Sequence, residues 1–491
     1  MDLLVVGGGV NGTGIARDAA GRRLSVTLCE MGDLAGATSS ASSKLIHGGL
    51  RYLEYYEFRL VREALAEREV LLASAPHLIR PLRFVLPHHD GLRPAWMLRV
   101  GLALYDHLGG RRSLPGTRAV ALRSDPVGAP LKPAYRRGFE YSDAAVDDAR
   151  LVALLALDAH ERGARILTRT RLVEARREGG LWRAVLERRD GGREGVAARA
   201  LVNAAGPWAE GVLGLVGADA RGRSLKLVKG SHIALPRLYS GEQAYTLQGG
   251  DGRVVFAIPY QGRFTLVGTT DVPFEGDPAR VEASDEEVAY LCSALGDYFA
   301  QPARPADVAW RYAGVRPLYD DGKANASAVT RDYVLDLEGA QDQPPLLSVY
   351  GGKITTFRRL AEHALDMLRP RLGFSARAWT AAATIPGGEL PHGFDAFRAD
   401  SAARWPWVPE PTMTRLCRAY GARVAAVLDG ASCWADLGRD FGAGLTEREV
   451  AYLVAHEWAR EPEDVLWRRT KLGLHMSPAE RAAFEAAPLT C

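Results

Sequence analysis

The chain opens with Leu3-Leu4-Val5-Val6 and passes at once into Gly7-Gly8-Gly9-Val10-Asn11-Gly12. No other stretch restricts the possible folds as tightly. The four apolar residues read as a short buried strand. The glycines at 7, 9 and 12 then have separate uses. Gly7 makes the tight turn, Gly9 lets a pyrophosphate approach the backbone, and Gly12 lets the next helix pack close to the sheet. The pattern predicts a helix over 13–21 with its N-terminal amides aimed at the phosphates. A second strand over 25–29 ends in Glu30, eighteen positions past Gly12, where an acid accepts hydrogen bonds from a ribose. Strand, glycine turn, helix, strand and acid, in that order, specify a dinucleotide-binding unit. A glycine turn alone would not.

Two later strands also run into glycine. Residues 199–205 lead to Gly206-Pro207-Trp208, and residues 346–350 lead to Gly351-Gly352-Lys353 and an amphipathic helix over 355–368. Between the first unit and these lie a helix over 146–162, ended by Gly163, and hairpins turning at Gly179-Gly180 and Asp190-Gly191-Gly192. A nucleotide domain in three pieces (1–75, 141–215, 341–384) is therefore expected, with a second domain inserted as 76–140 and 216–340. Beyond Pro386-Gly387-Gly388 the periodicity turns helical, as in 445–456, so residues 385–491 read as a helical domain. A length of 491 residues suits two or three domains.

A formal charge of +3 gives no bulk attraction to nucleic acid. The five cysteines form no CxxC pair, which argues against a disulfide framework or a zinc site and suits a reducing compartment. The longest uncharged run, residues 3–16, spans 14 positions, whereas a bilayer span needs about 20. No basic, apolar leader precedes the first strand. The expected location is the cytosol or the inner face of the cytoplasmic membrane. Of 62 lysines and arginines only seven are lysine (44, 132, 226, 229, 323, 353, 471), so a lysine here can mark a site that needs a compact charge.

After Glu30 the chain enters Ser39-Ser-Ala-Ser-Ser-Lys-Leu-Ile-His-Gly-Gly-Leu-Arg-Tyr-Leu-Glu54, too polar for a strand, where a nicotinamide fold would continue with βαβ units. Small side chains suit a long cofactor laid along the loop. Lys44 is expected to offset pyrophosphate charge and Gly48-Gly49 to admit a flat ring. A helix starting near Lys353 would point its positive end at a flavin.

The segments 7–22 (GGGVNGTGIARDAAGR), 37–54 (ATSSASSKLIHGGLRYLE), 140–152 (EYSDAAVDDARLV), VKGSHI, GTTDV, YAGVRPL, TRDY, GGKITTFRRL and DVLWRRT together resemble FAD-dependent glycerol-3-phosphate dehydrogenases of the bacterial respiratory type. The resemblance implies an α/β (α+β overall) fold. It has a Rossmann-like FAD domain of the D-amino-acid oxidase type, an inserted substrate-binding β-sheet domain and a C-terminal helical domain. It implies oxidation of sn-glycerol 3-phosphate to dihydroxyacetone phosphate, with electrons passed through FAD to a membrane quinone. It also implies attachment to a membrane surface, with a homodimer as a further expectation. The FAD contacts would come from Gly7, Gly9, Asn11, Gly12, Glu30, Thr38, Ser39, Ser43, Lys44, His47, Gly48, Gly49, Gly206, Gly352, Lys353 and Thr355. The substrate pocket would hold Arg51, Tyr52, His232, Thr270, Arg316 and Lys353.

The chemistry needs cations for a phosphate dianion and a group to take the hydroxyl proton. Arg316, Arg51 and Lys353 suit the first need, against the duller reading of interdomain salt bridges. His232 is the preferred base, although a histidine hydrogen-bonded between strands has the same signature. His47 is a second candidate, tuning the ring. Asp271 is expected to cap a turn. An oxidase that delivers electrons to oxygen shares the same motifs. A flavoprotein acting on RNA would need a basic, aromatic groove, and the near-neutral charge speaks against it. For the membrane face, residues 80–112 offer six arginines (80, 83, 93, 99, 111, 112) with Phe84, Trp96, Met97, Leu98 and Tyr105. The alternative is a core-facing helix over 96–108.

Overall fold

The computed structural model describes residues 1–110, 113–218, 224–320 and 332–489. Arg111, Arg112, Lys323, Cys491, and Thr330 and Arg331 of the TRDY motif lie outside them. Among the described residues the strands form three sheets. The first runs Tyr333–Glu338, Leu346–Gly351, Ala200–Asn203, Leu3–Val6, Val26–Cys29, Arg165–Leu167. All neighbours are parallel except at the antiparallel edge strand Tyr333–Glu338. That edge strand was assigned by sequence to the inserted domain. Its register against Leu346–Gly351 puts it in the nucleotide sheet instead.

The helix after Leu3–Val6 begins at Val10, three residues earlier than the glycine spacing suggested, with Gly9 as its N-cap. It packs between helices Asp148–Glu161 and Phe357–Leu372. Ile15, Ala16 and Ala19 meet Leu151, Leu155, Leu360 and Ala364 in one buried cluster. Small residues on the first helix allow this close approach from both sides, and burial of these side chains supplies the main drive for assembling the unit. Asp147 caps the second helix, accepting from Arg150 N at 3.2 Å.

The two expected hairpins form a meander of Thr170–Glu178, Leu181–Arg188 and Arg193–Ala198. The third sheet is the largest. Leu225–Pro236 lies between Phe264–Gly268 and Trp310–Tyr319, and Val254–Tyr260, Ala244–Gln248, Ile79–His88 and Arg137–Val146 follow. Its far edge is Leu45–Ile46, paired with Ala144 and Ala145. The polar loop therefore contains a two-residue strand that composition did not reveal, because two buried apolar side chains suffice to dock it. Residues beyond 385 form helices around a core of their own, including Leu416, Tyr420, Leu453 and Leu466.

Candidate active site

The loop from Thr38 to Tyr55 is where the pieces converge. Ser39 Oγ accepts from Val10 N at 3.0 Å, at the head of the first helix. The amides of Asn11 and Gly12, in the first turn, have no partner within the helix by geometry, so they face an incoming anion. A Cβ on Gly9 would meet Ser39 Oγ alone, at 3.1 Å, so a cradle is open on that side. Gly7 holds φ +113 with its Cβ position 2.4 Å from Ala204 O, so no other residue fits the turn. Glu30 closes the cradle: its carboxylate accepts from Gly8 N (2.6 Å) and Gly32 N (2.7 Å). Burial raises its pKa, and those two amides work in the opposite direction. Asn11 Nδ2 donates to Gly351 O (3.2 Å), and its buried Oδ1 has no hydrogen-bond partner among the described residues. Gly206, at φ +55, leaves open space where a side chain would stand.

Further along, Thr38 donates to Val315 O (2.6 Å), and the backbone of His47 bonds Thr355 Oγ1 (3.3 Å). Ser43 Oγ lies 2.9 Å from His232 Nε2. The His232 ring is buried, stacked on Tyr312 at 4.9 Å and 11°. Burial depresses its pKa well below the usual imidazole range, and the charges of Arg316 and Lys44 push the same way. Both causes favour the neutral ring.

Arg316 lies across from Val228 on the adjacent strand and over Gly230, which has no room for a Cβ beneath the guanidinium. It is ion-paired to Asp271, and donates to Thr269 Oγ1 (2.8 Å) and Thr270 O (3.1 Å). Lys353 Nζ sits 3.8 Å over the Tyr52 ring. Arg51 is half-buried in the same short helix, Leu50–Tyr55, and makes no ion pair among the described residues.

Several expectations need correction. Lys44 does not await a phosphate: its ammonium is spent on Asp148 (2.9 and 3.0 Å) and Ser40 O (2.8 Å), because a buried charge needs a buried counter-charge. Gly48 and Gly49 are glycines for internal reasons. A Cβ on Gly48 would strike Leu65 (2.4 Å) and the Tyr105 hydroxyl (2.7 Å), and one on Gly49 the Tyr52 ring (2.2 Å). Thr270 turns inward, its hydroxyl accepting from Ser231 N and donating to Glu287, so Thr269 is the threonine beside Arg316. Asp271 is a charge partner rather than a turn cap. The helix near Lys353 starts at Phe357, four residues on. Tyr312, Asp148 and Thr269 also belong to this cluster, and in the sequence only their places within YAGVRPL, EYSDAAVDDARLV and GTTDV pointed to them.

The FAD dependent oxidoreductase family matches residues 2–358, and residues 378–489 match the C-terminal domain of alpha-glycerophosphate oxidase. The chain belongs to the FAD-dependent oxidoreductases. This oxidoreductase is 57% identical over 483 residues to the glycerol-3-phosphate dehydrogenase of Pseudomonas aeruginosa, covering 98% of this chain and 93% of that one. It is 54% identical to the D-erythritol 1-phosphate dehydrogenase of Brucella abortus, covering 98% and 96%. The crystal structure of the glycerol-3-phosphate dehydrogenase from Bacillus halodurans with FAD superposes with a TM-score of 0.75 at 26% identity, over 99% of this chain and 93% of that one. FAD is the cofactor of this oxidoreductase. The open Gly9 cradle and the first-turn amides of the helix that follows it fit its pyrophosphate.

Proposed function

We propose that the enzyme oxidises sn-glycerol 3-phosphate to dihydroxyacetone phosphate and passes the electrons to a quinone at a membrane surface. The observation that carries the substrate is the 57% identity over nearly the whole chain, joined to a cation set (Arg316, Arg51, Lys353) on the flavin loop and its neighbours.

In this reading Gly7, Gly9, Asn11, Gly12, Glu30 and Ser39 hold the dinucleotide, and the loop around His47 and Thr355 lines its ring. FAD, when bound there, would supply the hydride acceptor for the oxidation at the substrate's C2. Arg316, oriented by Asp271 and Thr269, turns its remaining N–H groups to the phosphate, and Arg51 adds a second guanidinium. Lys353, set over Tyr52, supplies a compact positive charge at the hydroxyl end. His232 Nε2, which faces the loop at Ser43, takes the hydroxyl proton directly or through Ser43 Oγ. Its depressed pKa keeps it in the accepting form.

No helix among the described residues is long and apolar enough to cross a membrane. Helix Ala95–Leu108 instead exposes Trp96 (67%), Val100 (61%), Met97 and Leu104, while the neighbouring segment exposes Tyr55, Tyr56 (79%) and Phe58. An apolar surface of this kind on one face suits interfacial docking. Because Tyr55 continues the short helix that carries Arg51 and Tyr52, a docked bilayer would lie beside the flavin loop, within reach of a quinone.

The Brucella abortus relative favours a second reading, a four-carbon polyol phosphate. Steady-state kinetics with sn-glycerol 3-phosphate, D-erythritol 1-phosphate and unphosphorylated glycerol separates them. The three-carbon phosphate should give the highest kcat/KM, and glycerol almost none. A higher value for erythritol phosphate would overturn the substrate, and peroxide equal to turnover in air would overturn the quinone.

A further inference from the structure

One turn of the C-terminal domain, Asp464–Arg469 with Lys471 just beyond it, reaches His232 by two routes. The first is aromatic. Trp467 stacks on Trp310 (5.2 Å, 19°), Trp310 lies against Tyr312 (4.6 Å), and Tyr312 stacks on His232. The Tyr312 hydroxyl donates to Ser42 O (2.8 Å), tying the stack to the flavin loop. The second route is ionic. Buried Lys471 donates to Asp147 Oδ1 (2.7 Å) and Arg468 O (3.0 Å). The next residue, Asp148, is fully buried and accepts from Lys44 Nζ and from Ser42 Oγ (2.7 Å). Two carboxylates on adjacent residues thus stand between two ammoniums, one from the C-terminal domain and one from the loop that presents Ser43.

Both lysines have left-handed backbone, φ +58 at Lys44 and +59 at Lys471. Residues with a Cβ stay in that region only where their surroundings hold them. Two of the chain's seven lysines meet in this one cluster, where a compact ammonium fits and a planar fork does not.

We propose that Trp467 and Lys471 are positioning residues for the reaction: the C-terminal domain holds the His232 ring, and its contact with Ser43, in place from behind. The consequence for turnover rests on reading His232 as the proton acceptor. The placement of the ring does not.

The test uses the FAD-loaded full-length enzyme and three variants: Trp467→Leu, Lys471→Met, and Asp147→Asn/Lys471→Met. The last removes the ion pair without stranding a buried charge, so it decides the ionic route if Lys471→Met fails to fold. The first readout is the rate at which diethyl pyrocarbonate modifies His232, followed by mass spectrometry of its peptide. The second is kcat and KM, in wild type and in a His232→Gln background.

Modification of His232 should accelerate several-fold in each variant. The kcat should fall roughly tenfold with KM within about twofold, and in the His232→Gln background the same substitutions should change kcat by less than about twofold. Wild-type modification rates in all three variants would overturn the proposal, as would kcat losses equally large without His232. Faster modification with unchanged kcat would leave the positioning standing and remove His232 as the proton acceptor.

Discussion

Arg316, which we propose binds the substrate's phosphate, is paired in the fold before any ligand arrives. Asp271 and Thr269 fix the plane of the guanidinium, so little side-chain entropy remains to be lost when a phosphate arrives. Arg316→Ala should leave FAD content at one per chain and lower kcat/KM for glycerol 3-phosphate. A charge-assisted hydrogen bond contributes about 1.5–3 kcal/mol, so the loss should be roughly tenfold or more. Unchanged kinetics would make Arg316 a structural strut. The arginine stands out in the sequence because Gly314 and Pro317 flank it closely. Asp271 does not, because an acid after Gly-Thr-Thr has the same local signature whether it caps a turn or faces an arginine from two strands away. That distinction depends on strand register. Lys44 misled for a related reason: its partner Asp148 lies 104 positions away.

At the scale of elements, the glycine motif was legible because each glycine answers a backbone constraint within a few residues. The structure of the polar loop was not legible, since Leu45–Ile46 becomes a strand only against Ala144 and Ala145. One element junction carries a pH dependence that no motif announced. His77 is 1% exposed and neither ring nitrogen has a hydrogen-bond partner among the described residues. It lies against the backbone of Gly387 and Gly421, where the linker meets the helical domain. Burial lowers its pKa to about 3, and the charges of Arg150 and Arg418 assist. Because the folded value is the depressed one, stability is complete above the unfolded value of about 6.5 and is lost as pH falls toward 3. At about 1.4 kcal/mol per pH unit, the loss by pH ~3 is on the order of 4 kcal/mol. Urea midpoints measured across that range should fall less steeply for His77→Leu than for wild type. Parallel curves would show that His77 does not titrate on unfolding.

For the whole molecule, the residues that the sequence offered for a membrane face divide between core and surface in the fold. Phe84 and Tyr105 are buried in the sheet-facing core, and Arg83 is held by Glu140 and Ser142. The exposed residues are those on the outer side of Ala95–Leu108, which also buries Leu102, so the helix serves core and surface together. Amphipathic periodicity cannot say whether the less apolar side meets water or lipid, and the contribution of Tyr55, Tyr56 and Phe58 depends on tertiary contact. Trp96→Glu/Val100→Glu should abolish co-sedimentation with anionic liposomes while preserving turnover with a soluble quinone analogue. Arg93→Glu/Arg99→Glu should weaken it mainly at low salt. Wild type remaining in the supernatant at low salt would refute the docking.

The most direct test of the central claim needs no membrane. One equivalent of sn-glycerol 3-phosphate, added to the oxidised holoenzyme without oxygen, should bleach the visible flavin absorption, release dihydroxyacetone phosphate, and allow a quinone analogue to restore the colour. A flavin that stays oxidised with glycerol 3-phosphate, or is bleached by D-erythritol 1-phosphate alone, would contradict it.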